Sequence, residues 1–373
     1  MAEWQTIRLG KIVLTNQSTY SPKENWQFVN YLDTGNITMN QIDEIQYINT
    51  SMDKLPSRAR RKVKLNSIIY STVRPNQLHY GIIKKQPENF LVSTGFMVID
   101  VDFEKAVPYY IYYALTQKEV TEHLQAIAEQ SVSAYPSIKP SDIENLELLL
   151  PDRKTQEKIV AVLSSIDEKI KQNNEINNNL EQQARAIFDA IFPNISNGEN
   201  TIGDTITPKR GKGLLAKNAV FGNIPVVAGG LEPSTYHNVA NTVAPVLAIS
   251  ASGANSGYVS LWNIPIWASD SSYIDSSMTE DVYFWYVLLK KRQKEIYDAQ
   301  TGSAQPHIYP QHIAVMPISN LDFNDVHNYT ATVTPIFEMI GHNKDENVRL
   351  ATTRDTLLPK LMSGELDVSD IDL

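Results

Sequence analysis

The sequence predicts an α/β protein in which two duplicated domains with mainly β cores are separated by two long antiparallel coiled-coil helices. Three observations lead to this fold class. Residues 152–192 carry an apolar seam with coiled-coil spacing, and the same seam recurs 170 positions later. A matching Pro-x-Ile-x-Pro segment precedes both seams, so the repeat extends beyond the helices themselves.

The first seam predicts one long helix. Its positions step by three and four and include two asparagines in the middle: Ile159, Leu163, Ile166, Ile170, Asn173, Asn177, Leu180, Ala184, Ile187 and Ile191. About forty residues at 1.5 Å each give a rod of roughly 60 Å. A rod of this length with one apolar stripe needs a partner helix to cover the stripe.

The partner helix is predicted within the same chain. Positions displaced by 170 again give a seam with two asparagines: Val333, Ile336, Ile340, Asn343, Asn347, Leu350, Arg354, Leu357 and Leu361. Of these residues, Arg354 alone interrupts the pattern. Antiparallel packing with the polar layers centred predicts Asn173 opposite Asn347 and Asn177 opposite Asn343, and buried polar layers of this kind fix the register.

The segment before each helix repeats at the same displacement. Six residues of the first segment match six of the second: Ser133, Ala134, Pro136, Ile138, Pro140 and Ile143 match Ser303, Ala304, Pro306, Ile308, Pro310 and Ile313. Two unrelated amphipathic helices would not share this lead-in. We therefore expect a first domain at 1–150, a central helix at 151–195, a second domain at 196–320, and a C-terminal helix with an acidic tail at 321–373.

Short β-like runs predict the elements of both domains. In the first domain the candidate strands are Phe28–Leu32, Ser67–Val73, Gly81–Lys84, Gly95–Val101 and Leu146–Leu150, and a helix is expected at 108–129. In the second domain, residues 245–262 predict a strand, a small-residue loop and a strand, with Gly257 in the place of Gly81. A helix at Tyr283–Arg292 should correspond to 109–118.

The second long helix has one ambiguous end. Its start is open, because Thr334-Pro335 fits either a cap with a first-turn proline or a kink. Its end is expected near Ser363, where Gly364 suits a helix C-terminus. The acidic tail that follows is expected to be frayed or docked on the first domain.

Composition excludes several classes of protein. The hydrophobic content of 42% is ordinary for a chain with real cores. No apolar run reaches the length of a membrane span, and the first ten residues do not resemble a signal peptide. The absence of cysteine excludes disulfides, thiolate metal sites and cysteine nucleophiles, and we expect a cytoplasmic protein.

Charge is unevenly distributed along the chain. The net charge is −9, but residues 321–373 contribute −6 and residues 152–192 contribute −1, so the two domains together are near neutral. Both domains contain local basic clusters, which either keep a loop solvated or lie on the phosphates of DNA. Arginine can also bind guanine, and asparagine or glutamine can bind adenine. The candidate DNA-binding residues are Arg58, Arg60, Arg61, Lys62, Arg74, Asn76, Gln77, Lys209, Arg210, Lys212, Lys217, Ser252 and Asn255.

The sequence contains no recognisable catalytic constellation. The seven histidines lack metal-ligand spacing, and no nucleophile elbow or Walker A loop is present. We therefore expect no catalytic, cofactor-binding or metal-binding residue in this chain. A self-sufficient nuclease or methyltransferase would need a carboxylate or cofactor cluster, and a coiled-coil adaptor without a DNA role leaves the paired basic loops unexplained.

Several segments resemble the specificity (S) subunits of type I restriction-modification systems. They are LELLLPDRKTQEKIVAVLSSIDEKI, the duplicated Ser-Ala-x-Pro-x-Ile loop, the ending LLPKLMSGELDV, and SRARRKVKLNSIIYSTVRPN at 57–76, which is similar to a target-recognition domain. The resemblance covers essentially the whole chain. It is weakest at 322–334, which lacks the lead-in that Pro151, Gln156 and Ile159 give the first helix.

The resemblance implies a subunit with no catalytic activity of its own. Two target-recognition domains would each read one half of a split, asymmetric site in double-stranded DNA, and the helix pair would set the gap and dock other subunits. Two modification subunits would carry S-adenosylmethionine and methylate adenine. Restriction subunits would use ATP and Mg²⁺ for translocation and cleavage. These cofactors are thus expected in the partner subunits.

Overall fold

The computed structural model describes residues 4–130, 135–302 and 305–372. The chain divides into two compact units. The first unit contains the residues up to Glu168 together with those from Leu350 onwards, and the second contains Lys169–Arg349. Ser133, Ala134, Ser303 and Ala304 of the repeated lead-in lie outside the described residues.

The first unit is built mainly from short strands. Its strands are β1 (Gln5–Arg8), β2 (Val13–Thr15), β3 (Phe28–Leu32), β4 (Ile37–Thr38), β5 (Gln41–Ile42), β6 (Gln46–Asn49), β7 (Ala59–Lys62), β8 (Ile68–Ser71), β9 (Tyr80–Ile82), β10 (Phe90–Ser93), β11 (Phe96–Val101) and β12 (Glu147–Leu150). They form two four-stranded sheets, β6-β3-β10-β7 and β2-β11-β8-β9, and the strand pairs β1-β12 and β4-β5. The predicted strand Phe28–Leu32 is confirmed in full. The strands predicted at Gly95–Val101 and Leu146–Leu150 each begin one residue later, the one at Ser67–Val73 is three residues shorter, and the one at Gly81–Lys84 begins at Tyr80 and ends at Ile82.

The helices of this unit are α1 (Pro108–Leu115), α2 (Lys118–Glu129), α3 (Pro140–Glu144) and the start of α4 (Arg153–Ile191). The prediction of one helix at 108–129 is wrong, because Gln117 has an extended backbone with φ −60° and ψ 146°. The side chains of Thr116 and Gln117 bond the carbonyls of Tyr113 and Ala114, so they compete with the next helical turn. The break separates α1, whose residues are almost all buried, from α2, which buries only Thr121, Leu124 and Ala128.

The long helices supply part of the core of the first unit. One buried cluster contains Ile111 of α1, Ile159 and Leu163 of α4, and Leu358 and Leu361 of the C-terminal helix α8 (Phe323–Ser363). The acidic tail closes the same cluster, since Val368 is buried and the Lys158 ammonium donates to the Ser369 carbonyl at 2.5 Å. Of the two alternatives for this tail, the docked one is therefore observed.

The second unit repeats the arrangement with fewer strands. Its strands are β13 (Asn200–Thr201), β14 (Lys209–Arg210), β15 (Ile224–Val227), β16 (Thr235–His237), β17 (Val246–Ser250), β18 (Val259–Trp262), β19 (Trp267–Ala268), β20 (Ser271–Asp275) and β21 (Pro317–Ile318). Its remaining helices are α5 (Val282–Lys291), α6 (Gln293–Asp298) and α7 (Pro310–Ala314). The sheet order β14-β20-β17-β18 has the connectivity of β2-β11-β8-β9 in the first unit.

The duplication extends to individual backbone contacts. The Leu9 N–H donates to the Leu146 carbonyl at 2.8 Å, and the Ile202 N–H donates to the Met316 carbonyl at 3.0 Å. Leu146 and Met316 are 170 positions apart, as are the short helices α3 and α7. A Cβ added to Gly10 would lie 3.1 Å from the Glu144 carbonyl oxygen, and one added to Gly203 would lie 3.0 Å from that of Ala314. Both turns therefore press a glycine onto the end of the lead-in helix.

The two long helices pair antiparallel inside each unit. In the second unit the Asn173 amide donates to Asn347 at 2.9 Å, and the Asn343 amide donates to Asn177 at 2.8 Å. Asn173, Asn177 and Asn343 are all buried, so these layers satisfy polar groups in an otherwise apolar seam. In the first unit, Arg354 of α8 binds Asp167 of α4 at 2.9 Å.

Two details of the predicted helices need correction. Phe188 is fully buried while Ile191 is 39% exposed, because the stripe of α4 continues by steps of four from Leu180 through Ala184. The start of α8 at Phe323 excludes a cap at Thr334, so the helix passes through Pro335. Among the described residues, no helix is both long and apolar enough to cross a bilayer.

Candidate nucleic-acid interface

The first predicted basic cluster lies on and around strand β7. Arg58 is exposed just before the strand, whereas Arg60, Arg61 and Lys62 within it are half-buried. Lys62 bonds Glu24 at 2.5 Å and lies 5.1 Å from the centre of the Trp26 ring. Its charge is therefore largely neutralised by a neighbour in the same unit.

Arg61 differs from its neighbours on this strand. Burial lowers the pKa of its guanidinium, and its Nε is buried without a hydrogen-bond partner among the described residues. Arg58, which is exposed, and Arg60, which lacks the buried Nε of Arg61, are consequently the arginines of this cluster best placed to contact phosphates.

The second candidate element is the loop between β8 and β9. Arg74, Asn76 and Gln77 are all exposed there, on a 3₁₀ turn that spans Pro75–Gln77. Arg74 and Leu78 flank this turn with φ angles of 49° and 58°, a conformation that residues with a side chain rarely adopt. The Arg74 guanidinium lies 5.7 Å from the centre of the Tyr135 ring. The loop is thus held open with its polar side chains directed to solvent.

The second unit contains the same loop between β17 and β18. Four hydrogen bonds from a backbone N–H to a backbone carbonyl recur in the two loops. In the first loop the donors and acceptors are Ser71 to His79, Ile138 to Thr72, Arg74 to Pro136 and Gln77 to Arg74. In the second loop they are, in the same order, Ser250 to Tyr258, Ile308 to Ala251, Gly253 to Pro306 and Ser256 to Gly253. The positive φ angles match as well, with 82° at Gly253 and 88° at Gly257. Two different sequences therefore form one loop geometry.

This correspondence corrects one sequence expectation. Gly257 takes the place of Leu78, which also has a positive φ, and does not take the place of Gly81. Gly81 lies within β9, where an added Cβ would come within 2.6 Å of the Ile37 Cδ1 atom. Glycine is needed there for close packing and not for a left-handed backbone.

The basic residues of the second unit surround this loop unevenly. Arg210 bonds Asp270 at 2.6 Å, and the hydroxyl of Ser252 donates to the same carboxylate. Lys209, Lys212 and Lys217 are exposed and have no ion pair in the part of the chain that the structure describes. The backbone of Lys212 is fixed because its carbonyl accepts the Trp267 indole N–H at 2.8 Å. The three lysines are therefore the available cations, and Asn255 remains in the loop as a half-buried amide.

Sequence reasoning missed two residues that organise these loops. Tyr135 stacks under Arg74, and its position next to the repeated Pro136 was a usable signal. Asp270 joins Arg210 to Ser252, and nothing in the local sequence indicates this long-range pairing. The four asparagines of the helix seam bond one another across α4 and α8 and serve the helix pair. Among the described residues, no cluster of three or more His, Cys, Asp or Glu side chains could hold a metal ion.

Comparison with known proteins agrees with this geometry. Residues 1–182 match the family described as the type I restriction modification DNA specificity domain. This match covers 182 of the 373 residues, so the first half of the chain resembles type I specificity subunits. The HindI specificity subunit of Haemophilus influenzae is 29% identical over 250 residues, which cover 65% of this chain and 53% of that subunit. The chain therefore matches about half of the length of this relative.

Two further specificity subunits cover more of the chain. The MjaIX specificity subunit of Methanocaldococcus jannaschii is 26% identical over 338 residues, 78% of this chain and 76% of that one. The crystal structure of a type I system S subunit from M. genitalium is similar in fold, with a TM-score of 0.58 over 97% of this chain and 96% of that chain at 18% identity. The fold class predicted from the sequence, two domains with a long helix pair, is confirmed.

Proposed function

We propose that this chain is the non-catalytic subunit that recognises DNA for a type I restriction-modification complex. Each target-recognition domain, at 1–150 and 196–320, reads one half of a bipartite, asymmetric site in double-stranded DNA. The observation that supports this most strongly is the loop built twice, at 72–79 and 251–258, on matching hydrogen bonds. A single exposed loop is common, but two copies of one geometry suit a protein that makes the same kind of contact twice.

The candidate DNA contacts divide by chemistry. Arg58, Arg60, Lys209, Lys212 and Lys217 carry charges that can neutralise phosphates, and such contacts position the protein without reading sequence. The loop residues carry donors and acceptors suited to base edges; they are the exposed Arg74, Asn76 and Gln77 in one domain and the half-buried Asn255 in the other. Arg210 and Ser252 instead support the second loop through Asp270.

The helix pair, at 151–195 and 321–373, sets the gap between the two half-sites and docks the partner subunits. Its asparagine layers favour one register of the two helices over others, and a fixed register is needed for a fixed distance between the half-sites. Two modification subunits bring S-adenosylmethionine and methylate adenine, and restriction subunits bring ATP and Mg²⁺. The complex acts in the cytoplasm, where the chromosome is accessible.

The direct test is the pattern of methylated adenine in the host genome. Sequencing of modified bases should show a bipartite motif with a fixed gap, and deletion of this gene should abolish it while the modification genes remain intact. Complementation with the wild-type gene is the control and should restore the same motif. A motif that survives the deletion would contradict the proposal.

A further inference from the structure

The two matching loops differ in sequence at a few defined positions. The first loop reads Arg74-Pro75-Asn76-Gln77 and the second reads Gly253-Ala254-Asn255-Ser256, with asparagine at the third place in both. Neither asparagine side chain has a hydrogen bond among the described residues. The Asn76 backbone N–H donates to the Gln125 side chain at 3.2 Å, which fixes the backbone at Asn76. The side-chain amide of Asn76 therefore remains available to bind a ligand.

The first place of each loop carries the main difference. Gly253 has a φ of 82°, where glycine is unstrained, and an added Cβ would meet nothing within 4 Å. Arg74 occupies the equivalent place with a φ of 49°, although an L residue is strained there. Backbone strain of this kind persists where the surrounding structure enforces it, and it concentrates at functional sites. The Tyr135 ring, whose centre lies 5.7 Å from the guanidinium, restricts its motion.

We propose that these two loops are the equivalent base-reading elements of the two half-sites, with Asn76 and Asn255 each binding an adenine. Arg74 adds a guanine contact to the first half-site that the second domain, with Gly253, does not make. The chemistry follows from the major-groove edges, because a side-chain amide pairs with adenine N6 and N7 and a guanidinium pairs with guanine O6 and N7. This inference rests on the proposed function and assigns its specificity to single residues.

The test is a loop exchange that preserves the shared backbone. The variant R74G/P75A/Q77S converts the first loop to the sequence of the second while keeping Asn76. The purified full-length chain is incubated with a randomised duplex DNA library, and the bound fraction is sequenced. We expect the variant to lose a guanine preference of roughly 5- to 150-fold at one position of one half-site and to keep the adenine preference. Its melting temperature should not fall, since glycine relieves the strain at position 74.

Single substitutions separate the two loops. Asn76→Ala should remove an adenine preference in the half-site that the loop exchange alters, and Asn255→Ala should remove one in the other half-site. Lys85→Ala removes an exposed charge from the first unit and serves as the control, with no change of motif expected. If the wild-type chain selects a bipartite motif but the loop variants select it unchanged, the inference fails alone. If the wild-type chain selects no motif, the proposed function fails with it.

Discussion

The Arg354 guanidinium on α8 binds the Asp167 carboxylate on α4 at 2.9 Å, at the one seam position of α8 that carries a charged side chain. The other Asp167 oxygen accepts the Tyr113 hydroxyl at 2.7 Å. Burial by itself would lower the pKa of Arg354, but the carboxylates of Asp167 and Asp355 raise it. The charged residue in the seam therefore connects α8 to α4 through Asp167, and Asp167 connects both helices to α1 through Tyr113.

Replacement of Arg354 by methionine should destabilise the first unit. Asp167 would then keep a half-buried charge without its cation, and we expect a loss of about 1–3 kcal/mol in the free energy of unfolding. Urea unfolding monitored by circular dichroism measures this loss. The double variant R354M/D167L should recover most of it, and R349M, at an exposed site on the same helix, should change the stability by less than about 0.5 kcal/mol. Equal losses for R354M and R349M would contradict the assigned role.

The long-range periodic features of this fold could be predicted from the sequence. The seam positions of α4 and α8 follow from a period of 3.5 residues, and Asn173 and Asn347 are polar residues that interrupt an apolar stripe. The lead-in was equally visible, because Pro140 and Pro310 each begin a short helix. Such patterns depend on residues close in sequence and need no tertiary information.

Features that depend on single side-chain hydrogen bonds or on residues distant in sequence could not be predicted from such patterns. The break at Thr116 and Gln117 depends on side chains that compete for the final carbonyls of α1. The neutralisation of Lys62 by Glu24 joins segments 38 residues apart, so the sequence alone overstated the basic surface around β7. The equivalence of Leu78 and Gly257 was hidden because one is not a glycine, although both have a positive φ.

The asparagine layers allow a direct test of helix direction in solution. The chain has no cysteine, so introduced pairs are the only thiols present. The variant N177C/N343C should form a disulfide readily on mild oxidation, since these two side chains are hydrogen-bonded at 2.8 Å. The variant N177C/N347C places the second thiol about one helical turn away and should cross-link poorly. Equal yields for the two pairs, measured by mass spectrometry, would contradict the antiparallel register.

Phosphate contacts should be detectable as salt dependence. Replacing Arg58 and Arg60 by alanine should weaken binding to all DNA sequences and reduce the slope of log K against log salt by up to about 0.9 per lost contact. Adding Arg61→Ala should increase the effect little, because that side chain is partly buried. Lys62→Gln is the matched control and should leave the slope unchanged, since Glu24 neutralises the lysine. An unchanged slope for the double variant would place the DNA-binding face elsewhere.

Domain exchange should change half of the recognised motif. Replacing residues 1–150 by the equivalent domain of a relative should alter one half-site and leave the other half and the gap unchanged, because each domain has its own core. Residues 350–373 pack into the core of the first unit through Leu358, Leu361 and Val368. A chimera that also exchanges 350–373 should therefore be more stable than one that exchanges 1–150 alone. Sequencing of methylated motifs measures the change in the half-sites. A motif altered in both halves would show that the two domains read each half-site together.

The last prediction concerns the helix pair as a ruler. If helix length sets the gap, duplicating residues 171–177 and 341–347 should lengthen both helices by one heptad and keep Asn layers facing across the seam. An insertion of four residues would instead rotate the apolar stripe away from its partner. Seven residues add about 10.5 Å at 1.5 Å each. Since DNA rises about 3.4 Å per base pair, the gap should grow by about three base pairs.

The longer gap also turns one half-site around the DNA axis, by roughly a third of a turn when a turn is about 10.5 base pairs. Deforming the DNA to restore the alignment costs a few kcal/mol, so we expect the lengthened protein to bind more weakly than wild type at its new motif. Sequencing the methylated motif of a strain that carries both duplications measures the gap. A single duplication in α4 is the control and should abolish methylation, because the seams no longer match. An active complex with both duplications and an unchanged gap would mean that the helices brace the subunit without measuring DNA.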